Sequence, residues 1–164
     1  MILNYCPACA KPLRKLSDTE YGCENKHSFW NNPRATVAIV VLQGDQILVS
    51  KRGREPAKGK YDLPGGFLEY GEDVFAAAVR EMTEETTLQI AIDALQPLTA
   101  YTGFYFENES VCDIVLLATA WSGTPLAQDD SAALAWKPLS FLSSPEFDPP
   151  YHDLATIIQK HLAV

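Results

Sequence analysis

The chain has 164 residues, which fits one domain with at most a small appendage. Hydrophobic residues make up 47% of it, enough for a core, yet no run approaches the roughly 20 apolar residues that a membrane-spanning helix needs. Because 13 Lys and Arg stand against 21 Asp and Glu, the net charge of -8 argues against broad binding to polyanions, and nucleic acid is not the expected partner.

The N-terminal segment combines three cysteines with a histidine. It has no basic region followed by an apolar one, so we expect no signal peptide and a soluble, cytoplasmic protein. Cys6 and Cys9 form a Cys-x-x-Cys pair, and Cys23 is followed by His27. In a chain without a secretion signal, this grouping favours a metal over disulfides. The four ligands predict a closed tetrahedral Zn²⁺ site, which would supply folding free energy to a segment with too little core of its own.

The predicted zinc ribbon over residues 1–34 leaves alternatives open. The cysteines can instead be reduced thiols in a loop, and His27 is the weakest of the four ligands, with water or a carboxylate as its substitute. Five basic and three acidic residues give this segment a net charge of about +2, too weak a bias for a nucleic-acid-binding stripe. Phe29 and Trp30 could stack on a base, but we expect them to form the small core of the ribbon. Structural zinc is the prediction.

Two strands and a basic loop are predicted next. Residues 35–42 form an apolar, β-branched run typical of a buried strand, and residues 46–50 return as a second strand after a Gln-Gly-Asp turn. Five cations then follow within ten residues: Lys51, Arg52, Arg54, Lys58 and Lys60. They can form a solvated surface. Because an acidic cluster comes directly after them, Arg52, Arg54 and Lys58 are also candidates for binding a phosphate-bearing ligand.

An amphipathic helix is predicted over residues 73–86, after a Pro-Gly-Gly turn that lets the backbone approach a ligand closely. At 100° per residue, a core stripe is expected from Phe75, Ala78, Val79 and Met82. An adjoining face carries Glu81, Glu84 and Glu85. Such crowded carboxylates repel one another, and as hard oxygen ligands they point to Mg²⁺ or Mn²⁺. The alternative is a solvated acidic face, which would explain one or two of these glutamates but not the whole set.

This region resembles a known family motif. Gly66, Glu72 six residues later, the run R-E-M-T-E-E at residues 80–85 and Leu88 are similar to the Nudix box, G-x5-E-x7-R-E-U-x-E-E-x-G-U, in which U is aliphatic. One position departs, because Thr87 stands where the box has its last glycine. That glycine lies where the helix ends in this family, so we expect Thr87 to strain or reshape the C-cap and not to remove a ligand.

The resemblance implies both a fold and an activity. The expected fold is a Nudix α/β/α sandwich of the α+β class, with a mixed sheet, over residues 35–164. The expected enzyme is a divalent-metal-dependent hydrolase of a pyrophosphate bond in a nucleoside diphosphate linked to another moiety. By position in the motif, Mg²⁺ or Mn²⁺ would be ligated by Glu81, Glu84, Glu85 and the carbonyl of Gly65. Arg80 would orient a glutamate, and Glu72 would support the site. Zinc ribbons precede the domain in some members, including NADH pyrophosphatases.

The remaining segments are mainly predicted strands. They cover residues 88–92, 98–106, 111–121 and 135–139, with a hairpin turn at 107–110, a linker at 146–150 and a closing helix at 151–162. The aromatic residues of the 98–106 strand could sandwich a base, but about half of them are expected in the core, and Cys112 is expected to be buried. Asp129 and Asp130 lie in a loop and are candidates for a further metal ligand or base, although a solvated loop is the simpler interpretation.

The substrate stays open at this level. The S-Q-P-W-P-F-P-x-S motif of NADH pyrophosphatases is absent, and Pro97 is nine residues past Leu88, where the proline of many ADP-ribose pyrophosphatases falls about fifteen past the box. Tyr105, seventeen past Leu88, resembles a tyrosine of some dinucleoside polyphosphate hydrolases. The expected partner is a nucleotide derivative such as ADP-ribose, a dinucleotide or a nucleotide sugar, and a homodimer is left open. The alternative function is a catalytically weak ligand-binding or regulatory module.

Overall fold

The N-terminal segment forms a small sheet of its own in the computed structural model, which describes residues 4–107, 109–148, 151 and 153–163. Its three antiparallel strands are β1 (Arg14–Lys15), β2 (Glu20–Gly22) and β3 (Ser28–Trp30). They are short, and the only buried hydrophobic side chain before residue 35, among the described residues, is Cys6. The sheet therefore has little hydrophobic core to stabilise it.

The rest of the chain is built on a seven-stranded mixed sheet. Its strands are β4 (Arg34–Gln43), β5 (Gln46–Arg52), β6 (Tyr61–Asp62), β7 (Gly65–Phe67), β8 (Leu95–Phe106), β9 (Glu109–Ala118) and β10 (Ser131–Pro138). The order is β10-β5-β4-β9-β8, with β6 on β5 and β7 on β4. β4 and β9 pair in parallel and the other pairs are antiparallel, which confirms the predicted mixed sheet.

Two helices cover opposite faces of this sheet. They are α1 (Val74–Thr86) and α2 (Leu154–Leu162), and two 3₁₀ turns lie at Ile92–Ala94 and Leu139–Ser143. Along β4, Val37, Ile39 and Val41 belong to the core cluster under α1, whereas Ala38 and Val40 belong to the cluster under α2. This alternation is what a strand buried on both faces requires. The predicted α/β/α sandwich is confirmed.

Several boundaries differ from the predictions. The strand predicted at residues 88–92 is wrong, since Gln89 makes a single bridge to Ser122 and a 3₁₀ turn starts at Ile92. Its apolar residues Leu88 and Ile90 are instead buried in the core beneath α1. β9 ends three residues before the predicted 121, and α2 starts three residues after the predicted 151. Residue 108 of the predicted turn and residues 149–150 of the predicted linker lie outside the described residues.

The aromatic residues of β8 contribute less to the core than expected. Phe104 and Phe106 are 73% and 48% exposed, while Tyr101 and Tyr105 are half-buried at the edge of a cleft. Cys112 is likewise half-buried and not fully enclosed. Of the helices in the described part of the chain, none is long and apolar enough to cross a membrane.

Candidate active site

The helix α1 is fixed at both ends and along its buried face. Asp73 caps its N-terminus, because its Oδ1 accepts hydrogen bonds from the backbone N–H groups of Phe75 (2.9 Å) and Ala76 (3.0 Å). Ala78 and Met82 are buried, and Phe75 and Val79 pack against the same cluster, which confirms the predicted stripe. The adjoining face, which carries Glu81, Glu84 and Glu85, is thereby directed to the cleft that these glutamates line.

A glycine turn packs directly against these glutamates. Gly65 has φ +149°, and a Cβ there would lie 2.0 Å from the carbonyl oxygen of Val37. A Cβ on Gly66 would lie 2.4 Å from Oε1 of Glu81. Glycine is required at Gly65 by its backbone conformation, and at Gly66 it lets the Glu81 carboxylate lie directly against the turn.

Arg80 connects the acidic residues. Its guanidinium donates two parallel hydrogen bonds to Glu72, from Nε to Oε1 and from Nη2 to Oε2, each 3.0 Å long. Its Nη1 donates to Glu81 (2.8 Å) and Glu84 (3.0 Å), and Nη2 also donates to the carbonyl of Phe67. A planar fork engaged on all its nitrogens restricts the rotamers of three carboxylates at once.

The two innermost glutamates hold protons more tightly than an exposed carboxyl would. Burial, with a smaller contribution from the charges of Glu81 and Asp129, raises the pKa of Glu85 to about 7, against the opposing effect of the Gly65 N–H, 3.2 Å from Oε2. Burial also raises the pKa of Glu81, against the hydrogen bond from Arg80. Clustered acids that resist ionisation are typical of sites that exchange protons for a cation.

These donors fit a hard divalent cation. They are carboxylate oxygens beside a glycine turn, the ligand type that Mg²⁺ and Mn²⁺ prefer. Glu81 and Glu84 are drawn to the same nitrogen of Arg80, however, while Glu85 is turned to Gly65. Within the described residues, only the cysteine and histidine group gathers three or more ligand atoms within 4.8 Å. To place their oxygens around one cation, Glu81 and Glu84 would therefore have to turn from Arg80, and Glu85 from Gly65.

We expect divalent metal to stabilise the protein more at alkaline than at acidic pH. Since the folded-state pKa of Glu85 lies above the ordinary value, its contribution to stability is complete below pH ~4.5 and is lost as the pH rises through about 7. A cation binds the ionised form, so the rise in Tm on adding Mn²⁺ should be larger at pH 8 than at pH 5.5. Thermal unfolding with and without Mn²⁺ measures this, and equal shifts at the two pH values would contradict it.

Thr87 occupies the conformation that the box glycine would have. It caps α1 at φ 62° and ψ 2°, with its N–H bonded to the carbonyl of Thr83, and its Oγ1 donates to the carbonyl of Thr124 (3.0 Å). The departure from the motif therefore leaves the C-cap intact and involves none of the glutamates. Its consequence is local backbone strain in a non-glycine residue.

Replacing Thr87 by glycine is expected to stabilise the protein slightly. Relief of left-handed strain, ~1–2 kcal/mol for a residue with a Cβ, should exceed the loss of the exposed bond to Thr124 by up to about 1 kcal/mol. Turnover should change less than about twofold, since no site residue moves. Urea unfolding and steady-state kinetics test both parts. A Thr87→Gly variant with clearly higher activity would show that the threonine does reach the site.

Three of the four predicted substrate-binding residues meet in one cleft. Arg52 donates to Asp62 (3.0 Å) and to the hydroxyl of Tyr105 (3.2 Å), and the guanidinium of Arg54 forms an ion pair with Asp130. Lys58 is exposed and does not line the cleft, so its predicted role has no support from its position. The position of a cation in a loop sequence does not reveal which way the loop folds, and a Pro and two Gly in this loop redirect it.

The loop carboxylates Asp129 and Asp130 differ in position and partners. Asp129 lines the cleft, and its negative charge helps raise the pKa of Glu85. Asp130 lines the cleft as well but is paired with Arg54. Of the two predicted candidates for a further ligand or base, Asp129 is thus the one without an ion pair among the described residues.

The cleft itself has a volume of about 670 Å³, within the range of roughly 300–1,000 Å³ for small-molecule sites. The glutamates and the glycine turn form part of its wall. Another part contains Tyr101, one of the aromatic residues that could stack on a base, and four residues that the sequence did not suggest: Thr36, Asp62, Asp113 and Tyr151. They come from four strands and the segment before α2. The one signal that could have found them is an aspartate inside the otherwise apolar run of β9.

The predicted zinc ligands converge. Cys6 Sγ lies 3.4 Å from Nδ1 of His27, and Cys9 Sγ lies 3.8 Å from Cys23 Sγ. A tetrahedral site with Zn–S of ~2.3 Å and Zn–N of ~2.0 Å has ligand separations of ~3.5–3.8 Å, so these distances fit zinc. All four cysteines are free of disulfides. A hydrogen bond from the backbone of Lys11 lowers the pKa of Cys9 to about 6, which favours the thiolate that binds metal.

Comparisons with known proteins agree with this geometry. The family model described as the NUDIX domain matches residues 32–156. An ADP-ribose pyrophosphatase of Methanocaldococcus jannaschii is 33% identical over 124 residues, 75% of this chain and 72% of that protein. The low-salt glycan biosynthesis protein Agl8 of Haloferax volcanii is 26% identical over 93% of this chain and 92% of that protein. The crystal structure of a MutT NUDIX hydrolase from Burkholderia pseudomallei, 28% identical, superimposes with a TM-score of 0.65 over 78% of this chain and 97% of that one.

Proposed function

The chain belongs to the Nudix family of pyrophosphohydrolases, and from this premise we propose that Glu81, Glu84 and Glu85 hold the divalent cation with which it works. One observation carries the proposal: three glutamates, two of them bonded by Arg80 and Glu85 bonded by Gly65, line a cleft large enough for a nucleotide derivative. The set includes a buried acid, Glu85, which a solvated acidic face would not contain.

Each residue has a task in hydrolysis. When bound, a divalent cation offsets the charge of the phosphates and activates water for attack. Arg80 fixes Glu81 and Glu84 through its hydrogen bonds, and Glu72 fixes Arg80 in turn. Gly65 holds Glu85 by its N–H, and its carbonyl is the further ligand that the family resemblance implies. The proton of the attacking water passes to a carboxylate of the cleft, for which Glu85 and Asp129 are the candidates.

The substrate we propose is a nucleoside diphosphate linked to another moiety, such as ADP-ribose, a dinucleotide or a nucleotide sugar. The relative from Methanocaldococcus jannaschii is named an ADP-ribose pyrophosphatase. In the cleft, Arg52 and Arg54 supply positive charge for the phosphates, and Tyr105, bonded to Arg52, borders the same space. Water adds across one P–O–P bridge, so the products are a nucleoside monophosphate and the phosphorylated second moiety.

A screen of substrates tests this proposal. ADP-ribose, dinucleotides, nucleotide sugars and nucleoside triphosphates are incubated with Mg²⁺ or Mn²⁺, and products are separated by chromatography. We expect cleavage of at least one member of the first three groups into two monophosphates. If only triphosphates were cleaved, the proposed substrate class would be wrong while the metal site would stand. If no compound were cleaved with either metal, a binding or regulatory module would be the better description.

We further propose that residues 1–34 are a structural zinc ribbon and residues 35–164 the catalytic domain, in a cytoplasmic protein. The converging Cys6, Cys9, Cys23 and His27 support the ribbon, and reduced, closely spaced thiols suit the cytoplasm. Since the small sheet buries little apolar surface, its stability should depend on the metal.

Purified protein is expected to contain a single zinc ion per chain. Replacing Cys9 by serine should abolish the zinc and lower the temperature at which the ribbon unfolds, because a thiolate ligand is lost. The matched control is Cys112→Ser, a change of a free thiol in β9 outside the cluster. Elemental analysis and thermal unfolding give the readouts. Protein without zinc, or a Cys9→Ser variant that retains it, would refute the ribbon.

A further inference from the structure

The wall of the cleft on the α2 side of the sheet contains a group of acidic and hydroxyl residues with no part in the metal site. We call it the acidic recess and define it by Thr36, Asp62, Tyr101, Asp113 and Tyr151. Asp113 on β9 stands opposite Thr36 on β4 and Tyr101 on β8 in the strand register. Asp62 lies on β6, and Tyr151 precedes α2. All five residues line the cleft.

Asp113 is a half-buried acid without a cationic partner among the described residues. Its Oδ1 accepts from Thr36 Oγ1 (2.9 Å), and its Oδ2 accepts from the hydroxyl of Tyr151. No lysine or arginine forms an ion pair with it in the parts of the chain that the structure describes. Burial raises the pKa of Asp113. Removing a carboxyl group from water costs more free energy than burying an apolar side chain at the same position. Fold stability alone therefore does not explain why this residue is an acid.

Asp62 adds a second carboxylate to the same space. Its Oδ1 accepts from its neighbour Leu63 (2.7 Å) and its Oδ2 accepts from Arg52 (3.0 Å). Burial and the charge of Asp113 both raise its pKa. The side chain nevertheless keeps 18% of its surface exposed, so it can be reached from the cleft. Each carboxylate oxygen of the pair has one donor and can accept another, which gives the recess an excess of acceptors.

The recess and the rest of the cleft therefore suit different parts of a ligand. The negative charge of this carboxyl pair disfavours phosphate, and its oxygens accept hydrogen bonds from neutral groups with N–H or O–H donors. Arg52 contacts Asp62 on one side, and its positive charge acts on Glu85 on the other, so it lies between the recess and the metal site. The rings of Tyr101 and Tyr151, 4.9 Å apart, add an aromatic border suited to a flat base or the face of a sugar.

We propose that the acidic recess binds the non-phosphate part of the substrate and selects moieties that present two neighbouring hydrogen-bond donors. Such donors occur in the vicinal hydroxyls of a terminal sugar and in the N1–H and 2-amino edge of a guanine-type base. Asp113 is the principal acceptor and Tyr151 positions it. This proposal rests on the proposed function, because it concerns the same cleft.

Matched pairs of nucleotides test the recess and distinguish the two sources of donors. One pair is a guanosine diphosphate sugar and its inosine counterpart, which lacks the 2-amino group. The other is ADP-ribose and its analogue with 2-deoxyribose as the terminal sugar. In the wild type, KM should favour the donor-bearing member of one pair by about tenfold or more, the effect of leaving a buried acceptor unpaired. The pair within which KM differs shows whether the recess binds the base or the terminal sugar.

Asp113→Asn should remove this preference while changing kcat less than KM, because the amide replaces an acceptor with a donor. Tyr151→Phe should weaken the preference in the same pair, and it serves as a second variant if the first unfolds. The control is Asp45→Asn, an exposed aspartate in the turn after β4. The proposal would be overturned if Asp113→Asn weakened activity equally on both members of both pairs. It would also be overturned if the wild type discriminated within neither pair.

Calorimetric titration of the four compounds keeps this test independent of turnover. The recess predicts the same ratio of Kd values whether or not a compound is cleaved. Discrimination in binding without hydrolysis would leave the recess intact and refute the proposed function. Hydrolysis that requires metal but shows no discrimination would refute the recess alone.

Discussion

Replacing Glu85 by glutamine is expected to lower kcat by at least ~100-fold, the scale of effect for a positioned acid-base carboxylate, while the fold is retained. Glu85 is buried at the end of α1, and its Oε2 accepts from the N–H of Gly65. Glutamine has the same shape and can accept that bond through its amide oxygen. It carries no negative charge, so it cannot balance a divalent cation or accept a proton.

Steady-state kinetics at several Mg²⁺ concentrations measure this effect. Glu146→Gln is the matched control, since Glu146 is an exposed glutamate remote in sequence from the helix. The Glu85→Gln variant should also lose most of the pH dependence of stabilisation by Mn²⁺, because the ionisable group is gone. A variant with more than about a tenth of wild-type kcat would show that this carboxylate is not part of the hydrolytic site.

Alanine substitutions at the two glycines of the turn are expected to have different effects: loss of stability at Gly65 and loss of activity at Gly66. At Gly65 the added Cβ would lie 2.0 Å from the backbone oxygen of Val37, in a conformation that only glycine adopts readily. Because backbone must move, Gly65→Ala should cost more than about 3 kcal/mol of unfolding free energy. At Gly66 the Cβ would meet the end of the Glu81 side chain, which can rotate away. Gly66→Ala should therefore lose less than about 1 kcal/mol but lower kcat/KM by ~10- to 100-fold.

A double substitution shows whether the Gly66 effect acts through Glu81. If the Cβ displaces that carboxylate, Gly66→Ala combined with Glu81→Gln should be hardly worse than Glu81→Gln alone. Urea unfolding and kinetics of the single and double variants give the complete cycle. Additive losses in activity would indicate that Gly66 contributes by another route, and a Gly65→Ala variant of normal stability would contradict the turn geometry.

The elements around α1 could be predicted because their signals are local. The helix start near residue 73, the apolar stripe from Phe75 to Met82 and the spacing of the glutamates all lie within one stretch of sequence. The short apolar run at residues 88–92 was misassigned for the opposite reason. Leu88 and Ile90 are buried like strand residues, yet whether a short apolar run pairs with another strand depends on distant parts of the chain.

The acidic recess could not be predicted from local sequence signals. Asp62 and Asp113 become neighbours only because β9 pairs in parallel with β4 while β6 pairs with β5, an order that no short motif encodes. The same holds for Arg52, whose contact with Tyr105 joins distant segments. The glutamates of one helix could thus be grouped in advance, whereas the acidic recess could be recognised only from the fold.

The most direct test of the metal site is turnover of the best substrate as a function of Mg²⁺, measured for the wild type and for Glu84→Gln. Glu84 is the most exposed of the three glutamates, at 49% of its side chain, so its replacement is the least disturbing to the fold. We predict no turnover by the wild type in a chelator, recovery on titration with Mg²⁺, and little recovery by the variant at any concentration. Wild-type turnover that persists without metal, or a variant that matches the wild type, would contradict the assignment of the α1 glutamates as the catalytic metal site.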